Sequence, residues 1–80
     1  MGLEEIQRRL TDIFRDIFDR EDIVLTRELT SADIEDWDSL ANINLVVAIE
    51  KEFGISFNLN EIKSLADVGD MLDLIKAKVG

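Results

Sequence analysis

The stretch Asp36-Trp37-Asp38-Ser39-Leu40 places a serine hydroxyl where a polar, acidic segment gives way to a long apolar-periodic run. Three kinds of chemistry are open to Ser39. As a hydrolytic nucleophile it would need a positioned base and an oriented partner. The chain has no His, no Cys and no evident pairing of Ser with Lys, so this reading is the weakest. As plain polar residues at a helix start, Asp38 and Ser39 would satisfy free backbone N–H groups, which is where Asp and Ser are usually found. As a residue modified by another enzyme, Ser39 would carry a phosphate ester facing those same N–H groups and the positive end of the helix dipole. The residue types alone permit the third reading without demanding it.

The surrounding acids, Asp33, Glu35, Asp36 and Asp38, invite a calcium test. An EF-hand loop begun at Asp33 would put Trp37 at a ligand position, Asp38 where Gly is required and Asn44 where the bidentate Glu belongs, so it fails. Trp37 reads first as a core plug at the junction of loop and helix, and second as a partner anchor.

Composition narrows the classes further. Eighty residues suit one small domain over residues 1–80, in which a single core buries only about 60% of the unfolded chain's surface. The net charge of −9 disfavours nucleic acid and anionic membranes, which are bound through Lys and Arg, and favours basic protein partners. Residues 31–53 are the most acidic part, with six Asp or Glu against Lys51 alone. No apolar run approaches the roughly 20 residues of a membrane span, and the N-terminus is acidic where a signal peptide is basic. The expectation is a cytoplasmic monomer with no metal site and no catalysis of its own.

The elements that must position Ser39 follow from periodicity. Leu3, Ile6, Leu10, Ile13, Phe14, Ile17 and Phe18 recur by threes and fours, which predicts an amphipathic first helix. A long connection follows to Trp37, anchored by Ile23, Leu25, Leu29 and Ile34, with Thr30 and Asp33 able to cap one short turn. From Ser39 to Phe53 a broad stripe of Leu40, Ile43, Val46, Val47, Ile49 and Phe53 predicts a central helix, capped by Asp38 and ended by Gly54. Its exposed strip is expected at Asn42, Glu50 and Val47, although Val47 by itself reads as core edge. Residues 55–57 are expected as extended loop, Asn58 or Asn60 as the cap of a brief helical turn, and Ser64 with Asp67 as a capping box for a last helix through Val79. The fold class predicted is all-α: a small four-helix bundle of three longer helices and one short one, with a long first loop.

The run "DSLANINLVVAIEKEFGISF" resembles the acyl carrier proteins. It shares the Asp38-Ser39-Leu40 triplet at the start of the second helix, aliphatic residues at Ile43, Leu45, Val46 and Ile49, and the ending "EKEFGI". The likeness extends from about Leu3 to Val79.

The resemblance implies that Ser39 carries 4′-phosphopantetheine, transferred from coenzyme A by a phosphopantetheinyl transferase, and that the arm's thiol holds acyl groups as thioesters. It further implies that Asp38 helps the transferase coordinate its magnesium ion and that Leu40 sits beside the arm. Trp37, Val47, Glu50, Glu52 and Ile62 become candidates for partner binding, Ile62 on the short helix that borders the family's acyl cavity. The partners implied are acyl-transferring or condensing enzymes with basic docking surfaces. Fatty-acid carriers commonly have acid directly after the triplet and three residues further on, whereas this chain has Ala41 and Asn44. Trp37 stands where a small residue is common. The function implied is to hold acyl intermediates for fatty acid, polyketide or related lipid biosynthesis, and these departures suggest a specialised carrier for polyketide, lipid-modification or other secondary pathways. An aminoacyl carrier and a cofactor-free acidic interaction module are the alternatives.

Overall fold

The computed structural model describes residues 1–80, which form four helices and no strand: α1 (Leu3–Phe18), α2 (Ser39–Phe53), α3 (Leu59–Lys63) and α4 (Val68–Val79). The all-α bundle with its long first connection is as expected.

Helix α1 turns Ile6, Leu10, Phe14 and Phe18 inward and packs against both α2 and α4. It ends at Asp19, which adopts the left-handed conformation (φ 52°) and is the one non-glycine residue with positive φ. That conformation costs an L-residue stability, and an acid at a helix C-terminus also opposes the dipole. Asp19→Gly is therefore expected to stabilise the fold by about 0.5–1 kcal/mol. A rise in the urea midpoint at unchanged slope would show it.

The connection from α1 to α2 is packed, with Ile23, Leu25 and Ile34 buried and Leu29 resting on the core. Alternate carbonyls tie it down. Gln7 Nε2 donates to the Leu25 carbonyl (3.1 Å) and Arg15 Nε to that of Ile23 (3.0 Å). The first N–H groups of α4 then supply the next two, Gly69 to Arg27 (2.9 Å) and Val68 to Leu29 (3.0 Å). Helix α4 thus satisfies two otherwise unpaired N–H groups with the loop, so neither element is complete without the other. A Cβ on Gly69 would lie 3.1 Å from the Arg27 carbonyl oxygen, so the missing side chain permits this approach.

Two expectations need correction. Leu40, Ile43 and Val47 do not belong to the buried stripe of α2: they are 67%, 58% and 43% exposed, while Leu45, Val46 and Ile49 are buried. The helix is apolar around most of its circumference, so periodicity did not single out one face. The neighbours made the choice. The second correction concerns α4, whose cap is Asp67, accepting from the Asp70 N–H (2.8 Å), while Asp70 accepts in return from Ala66 (3.0 Å). Ser64 ends α3 instead, its hydroxyl donating to the Glu61 carbonyl (2.8 Å).

Candidate functional site

Trp37 sets the position of Ser39. The residue is only 9% exposed, and its ring meets Phe14 edge-on at 5.2 Å and Phe18 at 6.2 Å. This is the core plug, and its burial removes the indole from the residues offered to partners. The Trp37 N–H donates to the Ile34 carbonyl (3.1 Å), so the loop arrives at α2 already fixed. The indole Nε1 donates to Asn42 Oδ1 (3.2 Å), tying the plug to the first turn of the helix.

Asp38 is the N-cap in extended conformation, its Oδ1 accepting from the Ala41 N–H at 2.8 Å and its carbonyl from the Asn42 N–H at 2.9 Å. Ser39 is the first helical residue and exposed, and its hydroxyl makes no hydrogen bond within the protein. The arrangement leaves Oγ free for an external reagent, over a helix start whose positive end suits a phosphate ester. Beside it lies an open hollow of about 330 Å³ lined by Ser31, Trp37, Asp38, Ser39, Asn42, Leu65 and Ala66.

The residues expected to meet partners scatter around α2. Leu40 and Val47, joined by Ile43, form an exposed apolar row running away from Ser39. Glu50 is half-buried and accepts from the Phe57 N–H at 2.8 Å, so it braces the segment after α2. Asn42, also expected on the exposed strip, is half-buried and held by the indole. Glu52 is exposed and pairs with Arg9 of α1 at 3.1 Å. Ile62 is partly buried on α3, a helix that buries no residue completely.

Helix α3 is therefore held at its ends. Asn58 and Glu61 form a reciprocal capping box, and Glu61 Oε2 lies 3.1 Å from Lys78 Nζ of α4, whose ammonium also stands 5.7 Å from the Phe57 ring centre. The Asn58 backbone N–H and then Lys78 hold the Glu61 carboxyl below its usual range. A depressed carboxylate contributes stability above its unfolded pKa that is lost as pH falls through the folded value. Acidification below about pH 5 should therefore loosen α3. Asp22, held down in the same way by Arg20, adds to the same acid limb. Glu61→Gln is expected to flatten the melting temperature's dependence on pH in this range, with the Asp22 part left in place.

Comparison with known proteins bears on this geometry. A family model described as "Phosphopantetheine attachment site" matches residues 8–75. The chain belongs to this family, that of the acyl carrier proteins. It is 35% identical over 75 residues to the acyl carrier protein of Acidothermus cellulolyticus, covering 94% of this chain and 89% of that one. With the acyl carrier protein of Thermosynechococcus vestitus it shares 32% over 79 residues, 99% of this chain and 98% of the other. The solution structure of a holo acyl carrier protein from Geobacter metallireducens superimposes with a TM-score of 0.87 at 46% identity, over 91% of this chain and 84% of that one. A carrier of this family works with a phosphopantetheinyl transferase and with biosynthetic enzymes, and its prosthetic group is phosphopantetheine. No helix here is long and apolar enough to cross a membrane.

Of the residues singled out in the sequence, Ser39, Asp38 and Trp37 line the hollow and Leu40 does not, while Ser31, Asn42, Leu65 and Ala66, not singled out as site residues, complete it. One signal was present. A buried indole N–H needs an acceptor, and Asn42 lies one turn beyond the cap.

Proposed function

We propose that Ser39 is the attachment residue for the phosphopantetheine arm and that residues 1–80 act as one carrier domain with no catalysis of their own. The observation that carries this reading is the free Ser39 hydroxyl at the start of α2, held outward by the Asp38 cap on one side and the Trp37 plug on the other. The group, when bound, supplies a thiol that forms thioesters, the nucleophile this chain lacks. The chain's own part is to hold Oγ in the open and to keep Asp38 beside it for the transferase's magnesium ion. A monomer suits that task, because a carrier must be released by each enzyme in turn.

Partners would read Leu40, Ile43 and Val47 on α2, together with the acids Glu35, Asp36 and Asp38 at its N-terminal end. Surfaces that combine an apolar depression with basic residues would fit. Such small, partly charged interfaces exchange readily, as a shared carrier requires. The absence of acid at Ala41 and Asn44 supports a specialised pathway rather than the housekeeping fatty-acid enzymes.

The test is incubation with coenzyme A, magnesium and a broad-specificity phosphopantetheinyl transferase, read by intact mass. One added phosphopantetheine on the chain, mapped to the peptide that holds Ser39, supports the reading. No addition, with the transferase active on a second carrier, sinks it.

A further inference from the structure

We propose that Lys51 is a specificity-determining residue on the docking face of α2: it selects partner enzymes that offer a carboxylate at the far end of their footprint and disfavours those that are basic throughout. The inference rests on Ser39 being the attachment residue and on partners reading the row Leu40, Ile43 and Val47.

Lys51 continues that row. Leu40, Ile43, Val47 and Lys51 follow one another at helical steps of a little under or over one turn, so all four side chains share one strip of the helix. Each of the four is exposed. At about 1.5 Å of rise per residue, Lys51 lies about 18 Å along the axis from Ser39. The strip is therefore acidic at its start, where Glu35, Asp36 and Asp38 stand exposed, apolar in its middle and cationic at its end.

The cation is free. Of the nine Lys and Arg side chains, all but Lys51 and Lys63 engage a carboxylate or a carbonyl of the protein. Lys63 sits on the short α3 and not on this strip. The acids next to Lys51 in the chain are already taken: Glu50 accepts from the Phe57 N–H (2.8 Å), and Glu52 faces Arg9 (3.1 Å), which also reaches Glu5 (3.8 Å). The residues one turn away, Val47, Ala48, Gly54 and Ile55, carry no charge. A lysine in the last turn suits the helix dipole, but any side of the helix would serve that purpose. Its place on the docking strip is what the dipole leaves unexplained.

Charge complementarity then gives the partner. A surface that is basic throughout would meet like charge at Lys51. One with an Asp or Glu there gains an ion pair, while its basic residues face the acids near Ser39. The two ends lie farther apart than the screening length of about 8 Å at physiological salt, so each is read separately. Opposite signs also make the footprint directional, because a partner turned end for end would set like charges together at both ends.

The test is malonyl transfer to the phosphopantetheine-loaded chain by a housekeeping fatty-acid malonyl transferase chosen for a docking surface that is basic along its length. Loading of every variant is checked first by intact mass, and its fold by a thermal melt. At low salt Lys51→Gln should lower KM about threefold and Lys51→Glu on the order of tenfold, with kcat unchanged, and the differences should fade at high salt. Arg8→Glu changes the net charge as much as Lys51→Glu does, but on α1, and should leave KM in place. The transferase's basic docking residues are then reversed to Glu one at a time. For one residue, at the end away from its active site, reversal should improve the native chain and impair Lys51→Glu; reversals near the active site should impair both. Equal KM values for the native chain and the Lys51 variants, or an equal absence of reaction, overturn the proposal, as does a scan in which every reversal impairs the native chain. A chain that takes up no phosphopantetheine overturns the Ser39 reading, and this inference with it.

Discussion

Ser39→Ala is expected to take up no phosphopantetheine under conditions that load the native chain completely, while unfolding at nearly the same temperature. Both halves follow from the local geometry. The Ser39 hydroxyl makes no hydrogen bond inside the protein and its side chain is exposed, so its removal breaks nothing in the fold. Alanine at the first helical position carries no propensity penalty. Loading, in contrast, needs an oxygen nucleophile at that position, and the Ser31 hydroxyl, which lines the same hollow, belongs to the preceding loop and not to the helix start. Intact mass and a thermal melt on the same sample check the two halves together. Asp38→Ala separates the roles differently. It should cost about 1 kcal/mol through the lost cap while also slowing loading, because the carboxylate that accepts from Ala41 is the one placed beside Oγ. A Ser39→Ala protein that still gained the full mass would move the attachment elsewhere.

Phe14→Ala is expected to remove a large part of the molecule's stability. Phe14 has no exposed surface and meets Phe18 at 5.9 Å and Trp37 at 5.2 Å. Truncating a buried Phe typically costs about 3–5 kcal/mol, the lost transfer energy together with the cavity left behind. A domain of this size has a stability of only about 5–10 kcal/mol, so the loss consumes a large fraction of it. The cavity would open directly under the indole that fixes the start of α2. A chain that stays folded should therefore show a mobile Trp37 signal and a weaker Asn42 contact. Phe14→Leu, which refills most of the volume, is expected to recover the larger part of the stability. Urea unfolding followed by Trp37 fluorescence and by helix content separates the two responses, since loosening around the indole would move the fluorescence first.

Much of this protein was legible in its sequence, and the legible parts are those governed by short-range physics. Helix α1 announced itself by apolar spacing and its buried residues match that spacing. Asp38 and Gly54 marked the ends of α2 because capping and the left-handed turn depend on a residue and its near neighbours. The anchors of the long loop could be named because isolated apolar residues in a polar stretch have little else to do than reach the core. Ser39 was singled out by its place between such a loop and such a helix, and the carrier family by the residues that follow it.

Tertiary structure alone decided which face of α2 was buried. Leu40, Ile43 and Val47 are as apolar as Leu45, Val46 and Ile49, so a helix apolar nearly all round carries no internal preference. The direction came from α1, distant in the chain, and from the Trp37 plug that Phe14 and Phe18 of α1 hold in place. The same reason hid the role of Asn42, which depends on where the indole lies, and that of Glu50, which depends on the return of Phe57. The cap of α4 passed to Asp67 because Ser64 already ended α3, and the order of two competing caps depends on where each helix packs. Local chemistry determined the helices and the setting of Ser39; long-range packing determined the surface that surrounds it.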